Sequence, residues 1–201
     1  MLSVDKYGTG QDPYCYQGST VLRNLLNIED DQELAEAEQK LTSIAVSEIG
    51  FSPPPYDLPY LQSLHRHLFN EVFSWAGEIR TIDISKGATR FCRTDRIVPE
   101  ATKIFESMAQ AGWFEGMIRS DLIRAIAEYY GDLNMVHPFR EGNGRAQRLL
   151  FEHLVVNAGY QIGWAPITEE EWLQANIDAV DCNYAGLIQA FEKCIGEPIS
   201  E

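Results

Sequence analysis

The apolar positions of this chain fall mostly on a helical period. Leu34, Ala37, Leu41, Ile44, Ala45 and Ile49 recur at spacings that share one helix face. Leu61, Leu64, Leu68, Val72 and Trp75 repeat the pattern, and Gly77 marks the expected end. Ser52-Pro-Pro-Pro55 breaks the chain between the two. Past Pro99 the pattern resumes with Ile104, Phe105 and Met108, then with Leu122, Ile123, Ile126 and Tyr130 behind Ser120 as the expected cap. Leu149, Leu150, Leu154 and Val155 predict a helix from about Asn143 that stops near Gly159. Thr168 and Glu171 form a capping box, flanked by Ile167 and Trp172 as a hydrophobic staple. Leu187, Ile188, Phe191 and Ile195 define the last helix, before Gly196 and Pro198. A short helix is also expected behind Ser19, carrying Val21, Leu22, Leu25 and Leu26, while Gly8 to Gly18 reads as an irregular lead-in.

The period changes once. Glu78 to Ile84 alternates, Ser85-Lys-Gly-Ala88 reads as a turn, and Thr89 to Cys92 reads as a strand. This predicts a hairpin over about 78–92 with Lys86 and Gly87 at its tip. An isolated hairpin is marginal in water, so it must lean on the helices or on a partner. No repeat or low-complexity segment interrupts the pattern. The expected architecture is all-α, a helical bundle with one β-hairpin, in a single domain over 1–201.

Composition narrows the function. At 201 residues and 45% hydrophobic content the chain can bury a sizeable core. No apolar run approaches a membrane span, and Met1 to Gly8 lacks the apolar core of a signal peptide, so a cytoplasmic location is expected. Cys15, Cys92, Cys182 and Cys194 are scattered without metal-type spacing and read as reduced thiols. A net charge of -14 argues against binding a nucleic-acid backbone. The acidic runs Glu29-Asp30-Asp31 and Glu169-Glu170-Glu171 read as solvated helix starts. His65, His67 and His153 read as buried structural histidines; the first two sit two apart on a helix, so they diverge and cannot chelate one metal.

The chemistry concentrates in His137-Pro-Phe-Arg-Glu-Gly-Asn-Gly-Arg-Ala-Gln-Arg148. A glycine-flanked turn that opens a helix is an anion site, because the first backbone N–H groups lack intrahelical partners and carry the positive end of the dipole. His137 is a candidate base, since imidazole with an ordinary pKa of ~6.5 is substantially neutral near pH 7. Glu141, the one carboxylate of the run, suits Mg²⁺, which takes one or two carboxylates beside phosphate oxygens. Gly142 and Gly144 allow close backbone approach to phosphate. Asn143 fits a helix cap and can donate an amide hydrogen to a phosphate oxygen. Arg145 and Arg148 lie three apart on one side of the helix, where the dipole disfavours cations unless an anion is bound. Phe139 is expected to plug the core and fix the loop, and Arg140 receives no role.

Eight positions of this run match the pattern HxFx(D/E)GNGRxxR, and the chain here resembles the Fic family of nucleotidyl transferases. The resemblance implies transfer of AMP from ATP to a protein hydroxyl, with pyrophosphate released. It makes His137 the base, Glu141 the Mg²⁺ ligand, and Gly142, Asn143, Gly144, Arg145 and Arg148 the ATP-binding set, the two arginines taking the β- and γ-phosphates. The hairpin resembles the family's target-docking flap, which places Lys86 and Gly87 beside the nucleotide and implies strand addition by the target. Gly144 stands where a kinase-like relative carries lysine. UMP or phosphocholine transfer, and a non-catalytic nucleotide-binding adaptor, remain as alternatives. Asp12-Pro-Tyr and Trp75-Ala-Gly resemble the bacterial toxin branch, which implies a small antitoxin partner and the ATPase subunits of gyrase and topoisomerase IV as targets. The family's inhibitory signature, (S/T)xxxE(G/N), has no full match: Ser74 to Glu78 is followed by Ile79, and Thr102 to Glu106 by Ser107. The inhibitory glutamate is therefore expected from the antitoxin.

Overall fold

The side chain of Asp30 accepts the Glu33 N–H at 2.9 Å, and the chain turns helical directly after it, as α1 over Asp31–Glu48. This computed structural model describes residues 12–199; Gly8 to Gln11 of the expected lead-in, and the segment read for a signal peptide, lie outside them. The chain divides into two compact units, one formed by residues up to 50, 59–97 and 137–146, the other by 51–58, 98–136 and 147 onward.

The first unit holds α1, nearly all of α2 (Leu58–Phe69), the hairpin β1 (Ser85–Lys86) and β2 (Thr89–Arg90), and the first turn of α5 (Asn143–Asn157). The short helix expected behind Ser19 does not form. Ser19 Oγ instead accepts the Val21 N–H at 3.0 Å, Tyr16 N–H donates to Val21 O at 3.0 Å, and Cys15 bridges Leu22. The Asn24 amide closes the next turn on Leu22 and Ile28. Serine and asparagine here satisfy turn backbone that a helix would otherwise use. Leu25, expected on an apolar face, is 52% exposed.

The second helix ends at Phe69, not at Gly77. Its own side chains pull the following loop back onto it. Gln62 Nε2 donates to Gly77 O at 2.8 Å, Arg66 Nε donates to Ala76 O at 3.4 Å, and His65 Nδ1 accepts the Gly77 N–H at 2.9 Å. Gly77 has φ +80°, and a Cβ there would sit 2.8 Å from Arg66 Cβ. A loop folded back on the helix buries Val72, Phe73 and Trp75 as fully as a helix would. The hairpin is also shorter than the alternation predicts. It pairs Ser85 with Arg90 and Lys86 with Thr89, and Phe91 N–H donates to Ile84 O at 3.2 Å. Ile84 and Phe91 are buried together, with Ile82 packed against them.

The second unit holds α3 (Ile97–Gln110) from Val98 onward, α4 (Arg119–Val136), the remainder of α5, β3 (Tyr160–Ile162), α6 (Glu169–Ala179), α7 (Ala185–Cys194) and β4 (Ile195–Pro198). Pro99 sits in the first turn of α3, where its missing N–H has no partner to lose. Ser120 lies inside the first turn of α4 rather than before it. The Thr168–Glu171 capping box forms as expected. β3 and β4 make a second two-stranded sheet, pairing Ile162 with Ile195, where the sequence predicts only one hairpin. The core is aromatic: Tyr130 lies 4.9 Å from Phe151, 5.0 Å from Trp172 and 5.5 Å from Phe191 between ring centroids. All four cysteines are free thiols. Among the described residues, no helix is long and apolar enough to cross a membrane.

Candidate active site

The helix α4 stops at Val136 because His137 takes φ +46°, a left-handed conformation that costs a non-glycine residue about 1–3 kcal/mol. The surroundings impose it. Arg80 Nε donates to His137 O at 2.8 Å, and the Arg80 backbone N–H donates to Pro138 O at 2.9 Å. The His137 ring lies flat on Phe91, with centroids 3.8 Å apart and planes at 14°. His137 is half-buried.

The next residues are pinned in turn. Phe139 is fully buried, as expected, and stacks on His65 at 3.9 Å. The Asn143 amide holds Phe139 from both sides: Oδ1 accepts its N–H and Nδ2 donates to its carbonyl, each at 2.8 Å. That side chain, expected to cap the helix and reach a phosphate, closes the loop on itself. The helix proper starts where Arg145 N–H and Ala146 N–H both reach Gly142 O at 3.2 Å. The N–H groups of Asn143 and Gly144 consequently have no intrahelical acceptor, which is what an anion requires.

The two glycines differ in what they permit. Gly142 has φ +77°, and a Cβ there would fall 2.4 Å from the Phe69 ring, so the loop needs glycine to pack against α2. A Cβ at Gly144 would meet nothing within 4 Å, which leaves its face of the helix open. Glu141 Oε1 accepts the Gly142 N–H at 3.0 Å, and Glu141 O accepts from His65 Nε2 at 2.9 Å. Because Gly77 N–H can only donate to Nδ1 and Glu141 O can only accept from Nε2, His65 is the neutral Nε2-H tautomer. Burial reinforces this, lowering its pKa from 6.5 to about 4. His65 and His153 are buried as expected, but His67 is exposed, 3.8 Å from Glu48.

The arginines fall out differently from one another. Arg145 is ion-paired with Glu38 of α1, lies 3.4 Å from Thr42 Oγ1 and covers the Phe69 ring at 4.6 Å. Its guanidinium, expected to present itself to phosphate, is already engaged. Arg148 feels Glu152 and Tyr130 electrostatically but forms no ion pair among the described residues. Arg140, to which the sequence gives no role, is 2% exposed and pairs with Asp12, whose Oδ1 accepts the Tyr14 N–H at 2.8 Å. Tyr14 in turn meets Trp75 edge-on at 5.5 Å. The two short motifs noted in the sequence thus brace the loop jointly. Lys86 and Gly87 are exposed at the hairpin tip, Gly87 with φ +59°.

His137, Glu141, Gly142, Asn143, Gly144 and Arg145 are therefore brought into one loop and one helical turn, with Arg148 three residues further along α5. The sequence carries no signal for the contacts of Arg80, Phe91 and Glu38 with this loop and helix, since each acts on a segment far away in the chain. Among the described residues no three His, Cys, Asp or Glu side chains cluster to hold a metal on their own. The Glu141 carboxylate beside the open helix N-terminus is of the type that would suit Mg²⁺ shared with a phosphate ligand.

Residues 55–155 match the Fic/DOC family. The chain is 37% identical over 193 residues to a probable protein adenylyltransferase, Fic, of Escherichia coli (strain K12), covering 96% of each protein. It is 33% identical over 176 residues to the protein adenylyltransferase VbhT of Bartonella schoenbuchensis, covering 87% of this chain and 37% of that protein. Among solved structures it resembles BepC of Bartonella tribocorum, a VirB-translocated effector with bound AMPPNP, at a TM-score of 0.86 and 26% identity, over 93% of this chain and 97% of that one.

Proposed function

Because the chain belongs to the Fic/DOC family, we propose that it transfers AMP from ATP to a hydroxyl side chain of another protein. The observation that carries this reading is the placement of a braced, half-buried imidazole directly ahead of an open helix N-terminus. The triphosphate binds at the Asn143 and Gly144 N–H groups, and Arg148 holds its terminal phosphates. Arg145, charge-matched by Glu38, backs the same turn. The target hydroxyl oxygen attacks the α-phosphorus, the bond from that phosphorus to the bridging oxygen breaks, and pyrophosphate leaves. His137 takes the hydroxyl proton. Glu141 would hold Mg²⁺, which when bound supplies charge neutralisation to the phosphates. Catalysis is then mostly positioning and charge stabilisation. The hairpin with Lys86 and Gly87 receives the target segment along its edge.

The same reading makes the protein the cytoplasmic toxin of a toxin–antitoxin pair, with the ATPase subunits of gyrase and topoisomerase IV as targets. Purified subunits incubated with ATP labelled at either end test it. Label from the α-phosphate is expected on the subunit and label from the γ-phosphate is not. Recovery of γ-label would point to phosphate transfer.

A further inference from the structure

Arg80 is 2% exposed, yet nothing in the nucleotide reading uses it. Its guanidinium is spread over three backbone carbonyls. Nε donates to His137 O at 2.8 Å, Nη1 donates to Ile82 O at 2.7 Å, and Nη2 donates to Cys92 O. Ile82 lies where the chain enters the hairpin and Cys92 where it leaves. One planar, rigid cation therefore ties both legs of the hairpin to the residue that carries the imidazole. A second link runs in parallel. Phe91 follows β2, is anchored to Ile84 by a backbone hydrogen bond of 3.2 Å, and stacks on the His137 ring at 3.8 Å. The left-handed φ of +46° at His137 needs such over-determination to persist.

We infer that Arg80 and Phe91 are positioning residues that lock the hairpin and the His137 imidazole into one body, so that a target strand docked on the hairpin presents its hydroxyl at a fixed offset from the base. This rests on the adenylyltransferase reading, and it adds the device by which target and base are brought into register. Arg80 holds the height of His137 through its carbonyl, and Phe91 holds the tilt of the ring. The nucleotide turn of α5 is pinned separately, through Asn143, His65 and Phe69, so the two halves of the site respond to different substitutions.

The test compares wild type, Arg80→Lys and Phe91→Leu in two measurements. The first is the NMR spectrum of histidine-labelled protein, with the His137 signals identified by their absence in His137→Asn. Stacking on Phe91 moves the His137 ring protons upfield, and both variants are expected to lose that displacement. The second is transfer from α-labelled ATP into a bacterial lysate as the source of targets. Misplacing a reacting group by about 1 Å lowers rate by about 10²-fold, so kcat is expected to fall by that order while KM for ATP stays within about twofold. A folded Arg80→Lys protein with unchanged His137 signals and unchanged kcat overturns the inference. So does a loss that resides wholly in KM for ATP. If Arg80→Lys fails to fold, Phe91→Leu decides by the split between kcat and KM for ATP, because leucine removes the ring current wherever His137 sits. A wild type that labels nothing would refute the adenylyltransferase reading instead, while the ring shifts in Arg80→Lys still decide whether Arg80 sets the position of His137.

Discussion

Glu38 and Arg145 form an ion pair between the middle of α1 and the first turn of α5, with side-chain exposures of 13% and 28%. The pair neutralises one of the two motif arginines before any nucleotide arrives. On the proposed function, anion affinity in this turn is expected to rest on the open N–H groups and on Arg148. Arg148→Ala is expected to raise KM for ATP about 10-fold or more, the value of a charge-assisted phosphate contact. Arg145→Ala should show mainly as lost stability, about 1–3 kcal/mol, because it strands the Glu38 carboxylate. Kinetics and denaturant titration of the two variants check this, and equal effects on KM would refute it.

His137→Ala should reduce transfer about 10²–10⁴-fold while ATP still binds. On the proposed mechanism the base acts on the incoming hydroxyl, and the proposed nucleotide contacts lie in the following helical turn. Calorimetric ATP titration beside the labelling assay measures both quantities. Near-full transfer would remove His137 from the mechanism.

Asp12→Ala leaves the buried Arg140 guanidinium without its carboxylate. Breaking a buried pair from one side costs about 3–5 kcal/mol, so a large drop in the denaturation midpoint is expected. Replacing both partners with apolar residues, Asp12→Leu with Arg140→Met, should recover part of the loss. A double variant no better than the single one would show that packing, not the lost ion pair, is responsible.

His65 gives a pH dependence of defined sign. Its folded pKa of about 4 lies below the ordinary 6.5, so the unfolded chain takes up a proton first as pH falls. The contribution to stability is complete above pH 6.5, declines below it and is gone beneath about pH 4. His65→Gln should flatten the stability profile across that window. An unaltered slope would mean that other groups dominate acid unfolding.

A small partner protein is expected to silence the enzyme by offering a glutamate to Arg148, in competition with the terminal phosphate. Co-expression should relieve growth inhibition, and changing that glutamate to glycine should restore transfer while the complex persists. An isolated chain that is inert until one of its own helices is deleted would place the inhibitor within the chain.

The sequence by itself determined most of the helices and which side chains the loop from His137 to Arg148 carries. Long amphipathic periods are local signals, and a gap-free run from His137 to Arg148 places the imidazole, carboxylate, glycines and arginines in one loop and the start of one helix whatever surrounds them. It could not determine where segments of ambiguous pattern stop. Residues 70–77 carry helical spacing but fold back on α2, because Gln62, His65 and Arg66 offer them hydrogen bonds that no local pattern reveals. β3 and β4 are too short to show a period at all. Tertiary structure alone decided the supporting chemistry. Asp12 meets Arg140 across 128 residues and Glu38 meets Arg145 across 107. Such pairings depend on how distant segments pack, and packing distance is not written in any short window of the chain. The sequence named the groups that can do chemistry; the fold chose which arginine is ion-paired and what holds His137 in place.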